Sequence, residues 1–265
     1  MVLIKKILTL SAFASICAFC LAQELTGFDI VKKSQDAENA KTSSYTATMT
    51  LTDKKGKTRV REVIMRSKDF GEMSKSVIVF TMPKDVSGVG YLMFDHKEDS
   101  AGNKKDGESW LYMPATKKSR RISGNGKADD FMGTDFTYED IDERGLNKDN
   151  FTRLEDETVN GIDCYKVQAV SKDSTEKNPR RIIWISKETF LMVQCEFFDR
   201  QDALQRVLTC SDFAQIDGYW ATQKMFMKNV QSNHSTLLEI KNISYDIPLD
   251  DSIFTVSALE RGAIR

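Results

Sequence analysis

The chain of 265 residues carries 38 Lys and Arg against 39 Asp and Glu, a formal net charge of −1, and 40% of it is hydrophobic. That balance excludes the general basic bias on which nucleic-acid binding rests. Beyond the first residues no stretch of about 18 consecutive apolar residues occurs, so the sequence offers no later membrane-spanning helix.

Lys5 and Lys6 precede an uncharged apolar run from Ile7 to Ala22, and the chain turns polar at Gln23 and Glu24. This is the order of a secretory signal peptide, with Cys20 and Ala22 as the small residues before the cut. The run is shorter than the ~20 residues a membrane span needs. Cleavage after Ala22 leaves 265 − 22 = 243 residues and a net charge of 36 − 39 = −3. The expected location is the periplasm, free or associated with the outer membrane, with residues 23–265 as one domain. Lipidation at Cys20 stays open, because Cys17-Ala18-Phe19 is a poor lipidation box.

Thr26 is placed to cap a helix running to about Ala40, with Phe28, Ile30, Val31, Ser34 and Ala37 on one face. From Ser43 the period changes to two. Tyr45, Ala47, Met49 and Leu51 alternate with Thr46, Thr48, Thr50 and Thr52, the pattern of an amphipathic strand. Further strands are expected over Arg59 to Ser67, Lys75 to Met82, Tyr91 to His96, Ser109 to Met113, Arg180 to Ser186, Phe190 to Phe198, Leu204 to Ala214, Tyr219 to Lys228 and Ser235 to Tyr245. Asn160-Gly161 and Asp217-Gly218 read as two-residue hairpin turns. The predicted fold is therefore mainly β, one large meandering antiparallel sheet with an N-terminal helix.

Several strands are apolar on both faces, Val77 and Val79 opposing Ile78 and Phe80 for example. A second sheet could bury the extra face, or a curved sheet could line a cavity with it. The methionines scattered along these strands suit a pliable cavity wall and equally an ordinary core.

Enzyme signatures are mostly absent, a hydrolase built on paired carboxylates being the least favoured alternative. His96 and His234 are the only histidines and neither stands at metal-ligand spacing, and no nucleophile elbow or phosphate-cradling glycine loop occurs. Asp129, Asp130, Asp135, Glu139 and Asp140 cluster, and read as a solvated or salt-bridged surface before they read as catalytic carboxylates. Neither a cofactor nor a metal is expected. Cys164, Cys195 and Cys210 are odd in number, so at most one disulfide can join two of them. Their spacings of 195 − 164 = 31 and 210 − 195 = 15 residues fit no common zinc pattern.

The informative stretch runs from Glu108 to Asp142. Trp110-Leu111-Tyr112-Met113-Pro114 is a short aromatic strand closed by proline, and Lys117, Lys118, Arg120 and Arg121 follow as a basic turn. Phe131, Met132, Phe136 and Tyr138 beside Gly133 then read either as a flap pressed onto something apolar or as a loop packing its own side chains on the core.

The order WLYMPATKKSRRISG followed by ADDFMGTDFTYEDI resembles the hallmark of the outer-membrane lipoprotein-sorting family, the LolA-like proteins. The resemblance extends to the opening helix, the threonine-striped strand and the last strand before Ile247-Pro248-Leu249. It implies an open antiparallel half-barrel whose concave face holds acyl chains of a lipoprotein or lipid under a helical lid. On this resemblance Trp110, Tyr112, Met113, Phe131, Met132, Phe136 and Tyr138 are the lipid-binding and lid candidates, and Arg120 and Arg121 the candidates for a headgroup or partner contact. It also implies an inner-membrane transporter and an outer-membrane acceptor as partners. The competing expectation is a non-catalytic accessory of a lipid or RND-type exporter with a filled core.

Overall fold

The computed structural model describes residues 24–37, 40–97, 104–142 and 144–262. The leader, its cut and Cys20 lie outside the described residues. Fourteen strands form one open antiparallel sheet: β1 Thr42–Thr52, β2 Thr58–Asp69, β3 Met73–Met82, β4 Gly90–His96, β5 Glu108–Met113, β6 Lys118–Ile122, β7 Asp149–Arg153, β8 Glu157–Val159, β9 Ile162–Ser171, β10 Arg180–Ser186, β11 Met192–Phe198, β12 Leu204–Ile216, β13 Tyr219–Asn229 and β14 His234–Tyr245. Their spatial order is β6-β5-β4-β3-β2-β1-β14-β13-β12-β11-β10-β9-β7, with β8 also pairing with β9. The mainly β meandering antiparallel sheet read from the period is the sheet observed, and it stays open, as the resemblance implied.

This order is two meanders joined at the centre by β1 and β14. The first steps outward from β1 to one edge at β6, and the second starts at the other edge with β7 and steps back to β14. Residues 123–148, which link β6 to β7, must therefore cross from edge to edge, and they do so over the inner face.

The local causes are legible in the turns. Asn160 and Gly161 have φ of 52° and 82°, and Asp217 and Gly218 have 51° and 88°, the left-handed pair that a type I′ hairpin needs. Phe190, expected as the first residue of a strand, instead has φ 57° and closes a turn, and the strand begins at Met192. The expected basic turn is short: Lys117 alone has positive φ, and Lys118 to Ile122 pair with β5.

Helix α1, Gly27–Asp36, starts on the Thr26 cap, with Asp29 completing a capping box, and stops before Ala40. Its Ile30 and Val31 pack on the inner core formed with Val167, Ile183, Ile185 and Leu208. A Cβ on Gly27 would lie 2.9 Å from the Arg153 nitrogen, so only glycine lets the helix approach β7 this closely.

Parts of both faces of the sheet are covered, and among the described residues no second sheet does it. On the outer face the C-terminal segment with α3, Val256–Glu260, places Phe254 and Leu259 over Val77, Leu92 and Tyr112. Farther along, Leu154, Val159 and Ile162 cover Cys164, Ile182, Trp184 and Val193.

Candidate functional site

The crossing segment begins with the exposed Asp129 and Asp130 and then dives inward. Phe131 is fully buried and meets Phe80, Tyr91 and Tyr138 with ring centroids 5.8, 5.4 and 5.3 Å apart. These rings join the inner core of the first meander, while Phe136, 4% exposed, joins that of the second. The segment is thus a bridge between two cores, and burying its aromatics stabilises it on the scale of about 3 to 5 kcal/mol for each large ring.

A single turn of helix follows, α2 Tyr138–Ile141, capped by Thr137 with Asp140 returning a bond to the Thr137 nitrogen at 2.7 Å. Polar ties then reach both meanders. Arg206 of β12 pairs with Asp140, donates to the Asp135 carbonyl at 2.9 Å and to Asn178 at 2.8 Å. Thr236 of β14 donates to the buried Asp135 carboxylate at 2.7 Å, and His234 Nδ1 lies 2.7 Å from the same oxygen. On the other side Tyr91 and Ser109 donate to Asp142 at 2.8 and 3.1 Å, and Lys127 pairs with it at 2.9 Å. Burial, with the Asp142 carboxylate beside it, raises the Tyr91 hydroxyl well above the usual phenol range. The clustered acids are therefore divided: Asp129 and Asp130 are exposed, whereas Asp135 and Asp140 are internal ties.

Beside α1 the same segment holds a partly buried ion network. Although burial works against its charge, the carboxylates of Asp149, Glu139 and Glu176 hold the Arg144 guanidinium above its usual range. Burial raises Glu139 despite that arginine.

Between the inner face, α1 and the crossing segment lies a cavity of about 980 Å³, at the upper end of the range for ligand sites. Its wall is rich in soft side chains: Met65, Met93, Met192, Met225 and Met227, with Phe197 and Ile240. Cys195 and Cys210 stand in this wall, and none of Cys164, Cys195 and Cys210 is joined in a disulfide. The rim carries both signs, Lys32, Asp36, Lys41, Asp69 and Lys97. Among the described residues no group of His, Cys, Asp and Glu could hold a metal ion.

The residues singled out in the sequence are dispersed. Phe136 lines the cavity; Phe131, Met132 and Tyr138 belong to the core on the first meander instead. Met113 points to the inner face, but alternation turns Trp110 and Tyr112 to the outer face, under the C-terminal segment. Arg120 lies by Tyr138, and Arg121 pairs with Glu108 at 3.4 Å across β5 and β6. The sequence reading missed Arg206. Its one visible signal is a charge inside the strand run from Leu204 to Cys210, where burial demands a partner.

A family model described as an uncharacterized protein matches residues 72–261. Among solved structures, a DUF1329 family protein from Desulfovibrio piger is 31% identical with TM-score 0.81, covering 88% of this chain and 97% of its own. An outer membrane lipoprotein-sorting protein domain from Vibrio parahaemolyticus is 28% identical with TM-score 0.80, over 89% and 98% of the two chains. A LolA superfamily protein from Nitrosomonas europaea, 17% identical over 89% and 100%, shares the fold with TM-score 0.67. No curated protein matches the chain. With near-complete coverage of the Desulfovibrio relative, the chain belongs to the DUF1329 family, and it shares its fold with the lipoprotein-sorting domain and the LolA superfamily protein.

Proposed function

We propose that the protein is a non-enzymatic periplasmic carrier or sensor that binds acyl chains of a lipoprotein or lipid, for outer-membrane lipoprotein sorting or lipid transport. The cavity carries this reading: about 980 Å³ bounded by Met65, Met93, Met192, Met225 and Met227 on a sheet of the lipoprotein-sorting family. Thioethers adapt to chains of varied shape. Each acyl methylene removed from water contributes about 0.8 kcal/mol, so one long chain supplies on the order of 10 kcal/mol before the costs of binding.

In this reading the mixed-charge rim meets the headgroup or peptide, and Phe136 is the crossing segment's aromatic contact with the chain. Phe131 and Tyr138 are anchors that keep the segment seated. An inner-membrane transporter would be the donor and an outer-membrane component the acceptor. The filled-core accessory has one observation in its favour, the four-ring cluster that occupies the inner face of the first meander.

Organic-solvent extraction of protein purified from cells, followed by mass spectrometry, tests the proposal. Lipid should appear at near-stoichiometric amount. Protein that yields no lipid and takes up no fatty acid when it is offered would favour the filled accessory.

A further inference from the structure

We infer that one end of the first meander is a docking surface for an anionic phospholipid bilayer. Strands β1 to β6 are consecutive neighbours, so the turns joining β1 to β2, β3 to β4 and β5 to β6 stand side by side at one end of the sheet. They carry Lys54, Lys55, Lys57, Lys84, Lys117 and Lys118, all exposed. At a strand spacing of about 4.8 Å the six lysines spread over roughly 24 Å.

Only two acids share these turns, Asp53 and Asp85. The Asp53 carboxylate is already occupied locally, accepting from the backbone nitrogens of Lys55 and Lys57 at 2.8 and 3.0 Å. Just beyond, Arg59 and Arg61 crowd each other, and burial together with that repulsion lowers Arg61 from its usual range. The turns of the second meander at the same end are balanced, Lys172, Lys177 and Arg200 facing Asp173, Glu176, Asp199 and Asp202. In a chain with a formal charge of −1 these three turns therefore carry a local excess of 6 − 2 = 4 positive charges, with the exposed Glu62 beside Met82 just beyond them.

The form of the patch selects the partner. Lysine is a hydrated point charge on a flexible stem, suited to a diffuse anionic layer, whereas planar recognition of discrete carboxylates uses arginine forks. Beside the lysines Val60 and Met82 are 42% and 41% exposed on the outer face, placed to enter the headgroup boundary beneath basic side chains. The rim residues Asp69 and Lys97 stand at the opposite end of the same strands, so docking leaves the cavity rim uncovered. The inference stands on this surface alone and does not depend on the cavity being loaded.

Flotation with vesicles tests it on the full processed protein. Vesicles of phosphatidylcholine with phosphatidylglycerol should carry the protein upward, vesicles of phosphatidylcholine alone should not, and high salt should release it. Lys54→Glu/Lys55→Glu/Lys57→Glu should lower the bound fraction at least about tenfold with melting unchanged. Lys84→Glu/Lys117→Glu/Lys118→Glu provides the same readout should the first variant fold poorly. Equal binding to both vesicle types, salt-insensitive binding, or undiminished binding by the folded variants would overturn the inference. So would binding to polyglutamate with none to any vesicle, which would assign the surface to an acidic protein.

Discussion

Arg206 in β12 holds Asp140 in α2, so a strand of the second meander grips the segment that leaves the first. The two side chains are 3% and 13% exposed, and the Asp140 oxygen that meets Arg206 also accepts the Thr137 cap nitrogen. Removing one partner of a buried pair leaves the other charge uncompensated. Arg206→Met and Asp140→Asn should each lower unfolding free energy by about 3 to 5 kcal/mol, read as a shift of the urea midpoint. The double variant should cost less than the two losses added together. Additive losses would show that the pair does not couple the two elements.

Acid sensitivity should centre on Asp149. Burial works against its charge, but Arg144 at 2.8 Å and Arg181 at 2.5 Å carry it below its ordinary value. A carboxyl lowered in the fold contributes stability that is present above the unfolded value, about 3.9, and lost as pH falls through the folded value. Glu139 has the opposite sign: raised in the fold, it contributes stability that is lost as pH climbs through its folded value. Melting temperature followed downward from neutral pH should fall steeply below about pH 4, and Asp149→Asn should flatten that fall from a lower starting point. An identical slope in the variant would remove Asp149 from the account.

The Cys195 thiol is pushed up to about 12 by burial in the inner core. At pH 8 its thiolate fraction should be about a thousandfold below that of a free cysteine, whose value is about 8.5. Alkylation of Cys195 in the native protein should therefore proceed no faster than opening of the fold, and become rapid in denaturant. Native labelling at the rate of a free thiol would show that reagent and water reach this wall.

The sheet was legible because period two and the Asn-Gly and Asp-Gly turns are local signals, and the structure meets them within a residue or two at most strands. The bridge was not. Phe131 and Tyr138 look the same in sequence whether they gate a cavity or fill it, and only the separation of β6 and β7 at opposite edges makes the segment cross. Trp110 and Tyr112 went to the outer face because alternation fixes two opposed sets and cannot say which is inner. Arg206 was hidden for a related reason, since its partner Asp140 lies 66 residues away.

Phe136 and Ala221 separate the cavity from the bridge. Ala221, 3% exposed, stands in the cavity wall on β13, away from the crossing segment, so Ala221→Phe projects a ring into open volume. It should cost less than the roughly 1 to 3 kcal/mol of overpacking a closed core while weakening uptake of a fluorescent fatty acid. Phe136 faces the same cavity but is packed within the inner core. Phe136→Asp therefore buries a charge against apolar neighbours and should lose melting temperature and fatty-acid binding together. Ala221→Phe binding as tightly as the unmodified protein would move the acyl site elsewhere. A stable Phe136→Asp variant that has lost only binding would instead show that the crossing segment lifts as a lid, because a residue at the low-stability end of a structure can accept a charge without unfolding the sheet.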